Sequence, residues 1–150
     1  GGNSHTTPVE VTLDAMTSDR ISRSSAQDIL DQLPDPMIDY ILDSYDSYMT
    51  ESDLVDLMAD ELGPISDSLN AYDLSYEILE STQLDIVEIL DLEDEYAAMD
   101  INMKIDDAYT VEVLLRGEYE GETYREIAEL ITIQVDGTWY LDYSSFNRLF

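Results

Sequence analysis

The stretch ITIQVDGTWYLDYSSF, residues 131–146, decides the fold that this sequence predicts. Its Asp136-Gly137 pair is a strong signal for a two-residue β-hairpin, because a type I′ turn needs positive φ at both central residues. In that register Gln134 lies opposite Trp139, the only tryptophan of the chain. Side chains alternate between the faces of a strand, so each face receives large groups: Trp139 and Leu141 on one, and Ile131, Ile133, Val135 and Tyr140 on the other. We therefore expect a hairpin that is covered on both faces.

The sequence before this hairpin predicts the rest of a sheet. Residues 74–81, and later the stretch from Ala108 to Leu115, alternate between apolar and polar side chains, as half-buried strands do. Gly117 and Gly121 bracket a predicted turn, after which residues 122–135 form a long strand that leads into the Asp-Gly turn. Together these segments predict an antiparallel sheet of about four strands.

Apolar residues three and four positions apart predict helices, most of them ahead of the sheet. The helix boundaries follow from capping and breaking residues: Ser24 or Ser25 to Pro34, a restart at Asp35-Pro36, Thr50 to Gly63-Pro64, and Leu84–Met99. Residues 1–23 are polar and predict a leader or linker, with a short extended piece at Val9–Leu13. Residues 24–150 are then one α+β domain, with N-terminal helices packed on a curved antiparallel sheet.

A resemblance adds to this prediction. The run EYAAMDINMKIDDAYTVEVLLRGEYEGETYREIAELITIQVDGTWYLDY resembles the C-terminal half of nuclear-transport-factor-2-like domains, also described as cystatin-like cones. Bacterial exported members of that family carry a similar DG(K/T)WY signature in their last hairpin. The resemblance covers roughly residues 74–146 and implies the cone fold. The catalytic Asp–His arrangements of the family's enzymes have no counterpart here, so no catalytic residue is carried over.

The charge of the chain restricts its partners. Asp and Glu number 35 against 6 Lys plus Arg, for a formal net charge of -29. Such a field repels nucleic-acid backbones and anionic lipid headgroups, and it attracts cations or basic partners. The chain has no cysteine, which excludes disulfides and thiolate metal sites. No stretch approaches the ~18 apolar residues of a membrane-spanning helix.

Few residues offer catalytic chemistry. The only histidine is His5, which we expect to be a solvated residue of the leader, so histidine triads and histidine metal centres are not predicted. The carboxylates of Glu112, Glu126 and Glu129 lie in strands and could face a cavity, but Arg116 and Arg125 are available as cross-strand partners. Neither an EF-hand loop nor a phosphate-binding glycine loop occurs. We therefore predict no catalytic residue, no metal site and no cofactor.

These observations favour a non-enzymatic domain that binds a small ligand or a protein partner. Tyr76, Tyr96, Trp139 and Leu141 are the residues expected to line its site on the concave face of the sheet. The start GGNSHTTPVE resembles the tether behind the lipid-bearing cysteine of a bacterial lipoprotein, so an exported, membrane-tethered location is expected. One alternative is a cytoplasmic acidic protein that mimics nucleic-acid charge and binds a basic partner. Another is a small enzyme that uses a carboxylate.

Overall fold

The computed structural model describes residues 3–17, 22–45 and 48–149, and the side chains of all these except 66, 69, 70 and 147–149. Helices and strands follow the order predicted for an α+β domain. The elements are α1 (Thr7–Met16), α2 (Arg23–Leu30), α3 (Asp35–Tyr45), α4 (Glu51–Asn70), β1 (Ser75–Gln83), α5 (Ile86–Ala97), β2 (Asp107–Tyr119), β3 (Glu122–Val135), β4 (Thr138–Leu141) and α6 (Tyr143–Leu149).

The four strands form one antiparallel sheet in the order β1-β2-β3-β4. The predicted hairpin is confirmed: Asp136 and Gly137 have φ of 52° and 81°, and Gln134 pairs with Trp139. A second tight turn joins β2 to β3, where Glu120 and Gly121 have φ of 53° and 83°. The register fixes which side chains share a face of the sheet.

Helices pack on both faces of the sheet, as the apolar groups on both sides of the hairpin predicted. Helix α1 packs on the face that carries Trp139 and Leu141. Its contacts form a buried cluster of Val9, Leu13, Met16, Val111, Val113, Leu130 and Leu141. On the other face Ala108 and Ile133 pack into the larger core, which α2, α3, α4 and α5 complete. The predicted α+β class, with helices packed on a four-stranded antiparallel sheet, is confirmed.

The linker prediction is wrong for residues 7–16, which form α1 instead of a polar linker or an extended piece. Pro8 occupies the first turn of this helix, where its missing N–H has no helical partner to lose. Val9, Leu13 and Met16 then follow at helical spacing on one face, and all three are buried against the sheet. Residues that were assigned to the predicted leader are therefore part of the folded domain.

Helix α4 runs through Gly63-Pro64, where the sequence predicted its end. Pro64 is exposed, so the carbonyl that loses its helical hydrogen bond can turn to water. Helix α6, at Tyr143–Leu149, was not predicted from the sequence. Although α4 has 20 residues, no helix in the described ranges is long and apolar enough to cross a membrane.

Candidate functional site

The structure separates the four residues predicted to line one cleft. Trp139 and Leu141 lie on the α1 face of the sheet, and Tyr76 packs against the same cluster. Tyr96 is part of the core on the opposite face. Leu141 is fully buried, and Tyr96 and Trp139 are only 2% and 8% exposed. Of the four, Tyr76 alone is partly accessible to solvent.

Trp139 packs with the rings of His5 and Tyr109. We call these three residues the aromatic plug. The His5 ring stacks on Tyr109 with 4.1 Å between centroids, and Tyr109 lies 5.6 Å from Trp139. The Asn3 side chain closes the plug, because its Nδ2 donates to the Trp139 carbonyl at 3.0 Å and its Oδ1 accepts from the Trp139 N–H at 2.7 Å. The prediction of a solvated His5 is therefore wrong, since α1 holds the preceding residues against the sheet.

Tyr96 and Asp142 form a buried hydrogen-bonded pair that ties α5 to the end of β4. The Tyr96 hydroxyl donates to Asp142 Oδ1 at 2.6 Å and accepts from the Tyr143 N–H at 3.0 Å. Burial raises the pKa of Tyr96, and the Asp142 carboxylate raises it further. Ser144 also donates to Asp142. These contacts describe a structural anchor between elements.

Tyr76 joins β1 to α1 near the edge of the sheet. Its hydroxyl donates to Asp14 Oδ1 at 2.5 Å and contacts the Glu10 carbonyl at 3.4 Å. Partial burial raises the pKa of Tyr76, and the bond to Asp14 raises it further. Tyr76 thus borders the region of this face that α1 leaves uncovered.

That uncovered region is an open groove beyond the C-terminal end of α1, with a volume of about 480 Å³. It is lined by Leu13, Met16, Thr17, Tyr72, Leu74, Leu115, Gly117, Tyr124, Arg125 and Glu126. We call it the tyrosine groove, because Tyr72 and Tyr124 line it and the ring of Tyr119 packs against Tyr72 at its border. Tyr72 lies 5.0 Å from Tyr119 and 6.2 Å from Tyr124, centroid to centroid. All three rings are between 41% and 47% exposed.

Tyr72 reaches the other two rings because its backbone approaches β2 closely at Gly117. Tyr72 follows the end of α4, and Asp73, with φ of 47°, turns the chain into β1. Glu118 N–H then donates to the Tyr72 carbonyl. A Cβ at Gly117 would lie 3.3 Å from both the Cβ and the carbonyl oxygen of Tyr72. The absent side chain lets Tyr72 lie directly on β2. The prediction that Gly117 and Gly121 bracket a turn is wrong, because β2 continues to Tyr119 and the turn is formed by Glu120 and Gly121.

Two carboxylates flank Tyr124 at the groove. Glu122, Tyr124 and Glu126 alternate on β3, so they point to the same face. The Tyr124 hydroxyl donates to Glu122 Oε2 at 2.9 Å, which raises the pKa of Tyr124. Arg125 borders the groove, but its position in the register directs its side chain to the other face. The groove therefore combines aromatic rings with negative charge.

A second cavity is a weaker candidate for a binding site. A smaller cavity of about 270 Å³ lies among α2, α3, α4 and α6, lined by Leu30, Ile41, Ser44, Tyr45, Leu54, Met58, Glu61, Leu62, Tyr143 and Phe146. Its walls are mainly the apolar side chains of the helical core. Among the described residues, no group of three or more His, Asp or Glu side chains is arranged to hold a metal ion.

Comparison with known proteins finds no matching family model, curated protein or solved structure. The resemblance to the nuclear-transport-factor-2-like cone stays a hypothesis.

The site residues expected from the sequence did not include the three tyrosines at the groove. A partial signal was present, because Tyr119 and Tyr124 flank a Gly-containing turn and the paired strands bring them to the same face. Gly117, opposite Tyr124, also interrupts the apolar side of β2. Tyr72 gave no local signal, since its place over Gly117 depends on how α4 returns to the sheet.

Proposed function

We propose that this protein is a non-catalytic binding domain and that the tyrosine groove receives a cationic organic group, such as a quaternary ammonium. The observation that carries the proposal is the cluster of Tyr72, Tyr119 and Tyr124, whose half-exposed rings meet beside an open groove. Exposed aromatic rings grouped around a cavity attract cations to their faces. The volume of about 480 Å³ lies within the range of small-molecule sites.

The charge of the protein supports a cation over a neutral ligand. Glu122 and Glu126 flank Tyr124 on the same face, and the whole chain carries a formal net charge of -29. This field raises the local concentration of cations at the surface. A quaternary ammonium is weakly hydrated for its charge and places methyl groups against Leu115 and Leu74, so it suits rings and aliphatic walls together.

The test compares choline with its neutral carbon isostere, in which a quaternary carbon replaces the nitrogen. Both are titrated into the protein while tyrosine resonances are followed by NMR. We expect choline to shift the resonances of Tyr72, Tyr119 and Tyr124, with the isostere binding several times more weakly. One cation–π contact at an exposed site contributes about 0.5–1 kcal/mol, so Tyr124→Leu should weaken choline binding about two- to fivefold.

Matched variants identify the ring as the cause. Tyr124→Phe keeps the aromatic face and should retain most of the affinity, while Tyr40→Leu alters an exposed tyrosine of α3 and should change nothing. Equal binding of choline and the isostere would show an apolar groove and contradict the cationic ligand. If choline shifts no groove resonance at any concentration, the proposed site is wrong.

A further inference from the structure

The face of the sheet opposite the tyrosine groove is covered at one end only. Helices pack over Ala108 and Ile133, whereas further along the strands Ile127 is 58% exposed. The register pairs Ala108 with Ile133 and Leu114 with Ile127. Six residues of β2 separate these two rows, or about 20 Å at ~3.4 Å per residue. A stretch of open sheet therefore carries an aliphatic row without a covering helix among the described residues.

Charged rows flank this aliphatic row on both sides. Arg116 pairs with Arg125 on one side, and Glu112 pairs with Glu129 on the other. We call these six residues, Glu112, Leu114, Arg116, Arg125, Ile127 and Glu129, the charge-row face. Along β2 and β3 the order is positive, apolar, negative, with about 7 Å between rows, while Glu77 of β1 lies beside Leu114.

Like charges directly opposite each other destabilise a sheet. Arg116 has Glu77 at 3.5 Å, while no carboxylate of a described residue lies within ion-pair distance of Arg125. Two of the six basic residues of this acidic chain thus lie side by side next to an exposed aliphatic row. Arginine is enriched at protein–protein interfaces, and here two arginines lie beside exposed aliphatic side chains.

We propose that the charge-row face binds a second copy of the same chain. A two-fold axis that lies between the sheets, crosses the strands at a right angle and passes over the aliphatic row exchanges the positive and negative rows. Arg116 then faces Glu112 of the second copy, and Arg125 faces Glu129 of the second copy. Leu114 and Ile127 pack on their own counterparts, with the sheets about 10 Å apart.

The charge pattern favours a second copy over an unrelated partner. A two-fold interface must be complementary to itself, and the positive–apolar–negative order of β2 and β3 meets this condition. The patch is small against the ~800 Å² per partner of a stable complex, and two chains of charge -29 repel each other. We therefore expect a reversible dimer that strengthens with salt, because screening weakens the long-range repulsion. The dimer is independent of the tyrosine groove, which lies on the other face.

Charge exchange tests the arrangement directly. One variant carries Arg116→Glu with Arg125→Glu, and the other carries Glu112→Arg with Glu129→Arg. Sedimentation velocity at about 0.15–0.5 M salt, where the Debye length is at most ~8 Å, should show a concentration-dependent dimer for the unaltered protein. Each variant alone should associate at least tenfold more weakly, because its rows meet like charges. An equimolar mixture of the two variants should recover association, since every facing pair is then opposite in charge.

Controls separate the interface from effects on folding or net charge. Arg23→Glu changes a basic residue of α2 and should leave association unchanged, while Ile127→Asp should abolish it. Circular dichroism confirms that each variant is folded. A protein that stays monomeric up to millimolar concentration in this salt range overturns the proposal. Variants that associate as well as the unaltered chain, or a mixture that associates no better than its components, also overturn it.

Discussion

Two groups of aromatic side chains lie on the same face of the sheet, and they differ in how far neighbouring segments cover them. The aromatic plug contains Tyr109 of β2, and Tyr119, ten residues further along the same strand and about 33 Å away, borders the tyrosine groove. At the plug, Asn3 hydrogen-bonds the backbone of Trp139, and α1 covers the adjacent sheet. At the groove, no described segment covers the rings, which stay between 41% and 47% exposed. The same residue types serve packing at one end and are available to a ligand at the other.

The exposure of these rings depends more on coverage by neighbouring segments than on residue type. Trp139 is 8% exposed because the residues before α1 close over it, although tryptophan is well suited to binding sites. Tyr72 and Tyr124 remain accessible because α1 ends at Met16, short of their end of the sheet. A candidate site in this protein is therefore recognised by the aromatic rings that no described element covers.

Truncation of one ring in each group should produce the largest contrast. Trp139→Ala removes a buried indole and leaves a cavity, which costs about 3–5 kcal/mol of unfolding free energy. Tyr124→Ala removes a half-exposed ring and should cost less than about 1 kcal/mol. Urea denaturation followed by circular dichroism measures both. A similar cost for the two variants would mean that the groove is packed as tightly as the plug.

The two tight turns allow a second comparison, because each stands next to one of the groups. Gly137→Val and Gly121→Val both force a β-branched residue to a φ near 80°, at a cost of about 1–3 kcal/mol each. A side chain at either position meets open space, so the cost is backbone strain alone. Gly137→Asn and Gly121→Asn are the controls, since Asn tolerates this conformation better. Choline binding should fall with Gly121→Val and stay unchanged with Gly137→Val; the reverse pattern would place the ligand at the plug.

The hydrogen bonds of Asn3 should account for a smaller part of the plug's stability. Asn3→Ala leaves the N–H and carbonyl of Trp139 without their partner on the free edge of β4, and we expect a loss of about 1–2 kcal/mol. Acrylamide should then quench the fluorescence of Trp139 more efficiently, and no second tryptophan complicates the signal. Asn3→Asp keeps the acceptor and loses the donor, so its effect should be intermediate. Unchanged quenching in Asn3→Ala would show that the plug closes without this residue.

The sequence predicted those features of the fold that depend on neighbouring residues. The Asp136-Gly137 turn follows from local backbone chemistry, and it correctly placed Trp139 opposite Gln134. Helix α1 had a local signal in Pro8, Val9 and Leu13, but the polar residues around it favoured a linker. Its stability comes from burial against a sheet that begins far along the chain.

The groove was less predictable, for a related physical reason. Tyr72 lies on β2 only because Gly117 has no side chain and α4 continues through Pro64, and neither follows from the residues next to Tyr72. The expected site residues Tyr96 and Leu141 are large groups in regular elements, and the core requires such groups as well. A single sequence does not distinguish a core residue from a binding-site residue, whereas the packing does.

Tyr76 lies between the two groups and gives the smallest expected effect. Its hydroxyl donates to Asp14, so the neutral phenol is favoured in the folded protein and its pKa is raised above the ordinary value of ~10. A raised pKa adds stability that is fully present below about pH 10 and is lost as the pH rises through the folded-state value. Tyr76→Phe should therefore lower stability slightly at pH 7 and flatten its decline above about pH 10. Urea denaturation across that range measures the slope, with Tyr45→Phe, on the exposed side of α3, as the control. An equal decline in all three proteins would show that Asp14 does not hold the Tyr76 proton, and that α1 is attached at this edge by its apolar contacts alone.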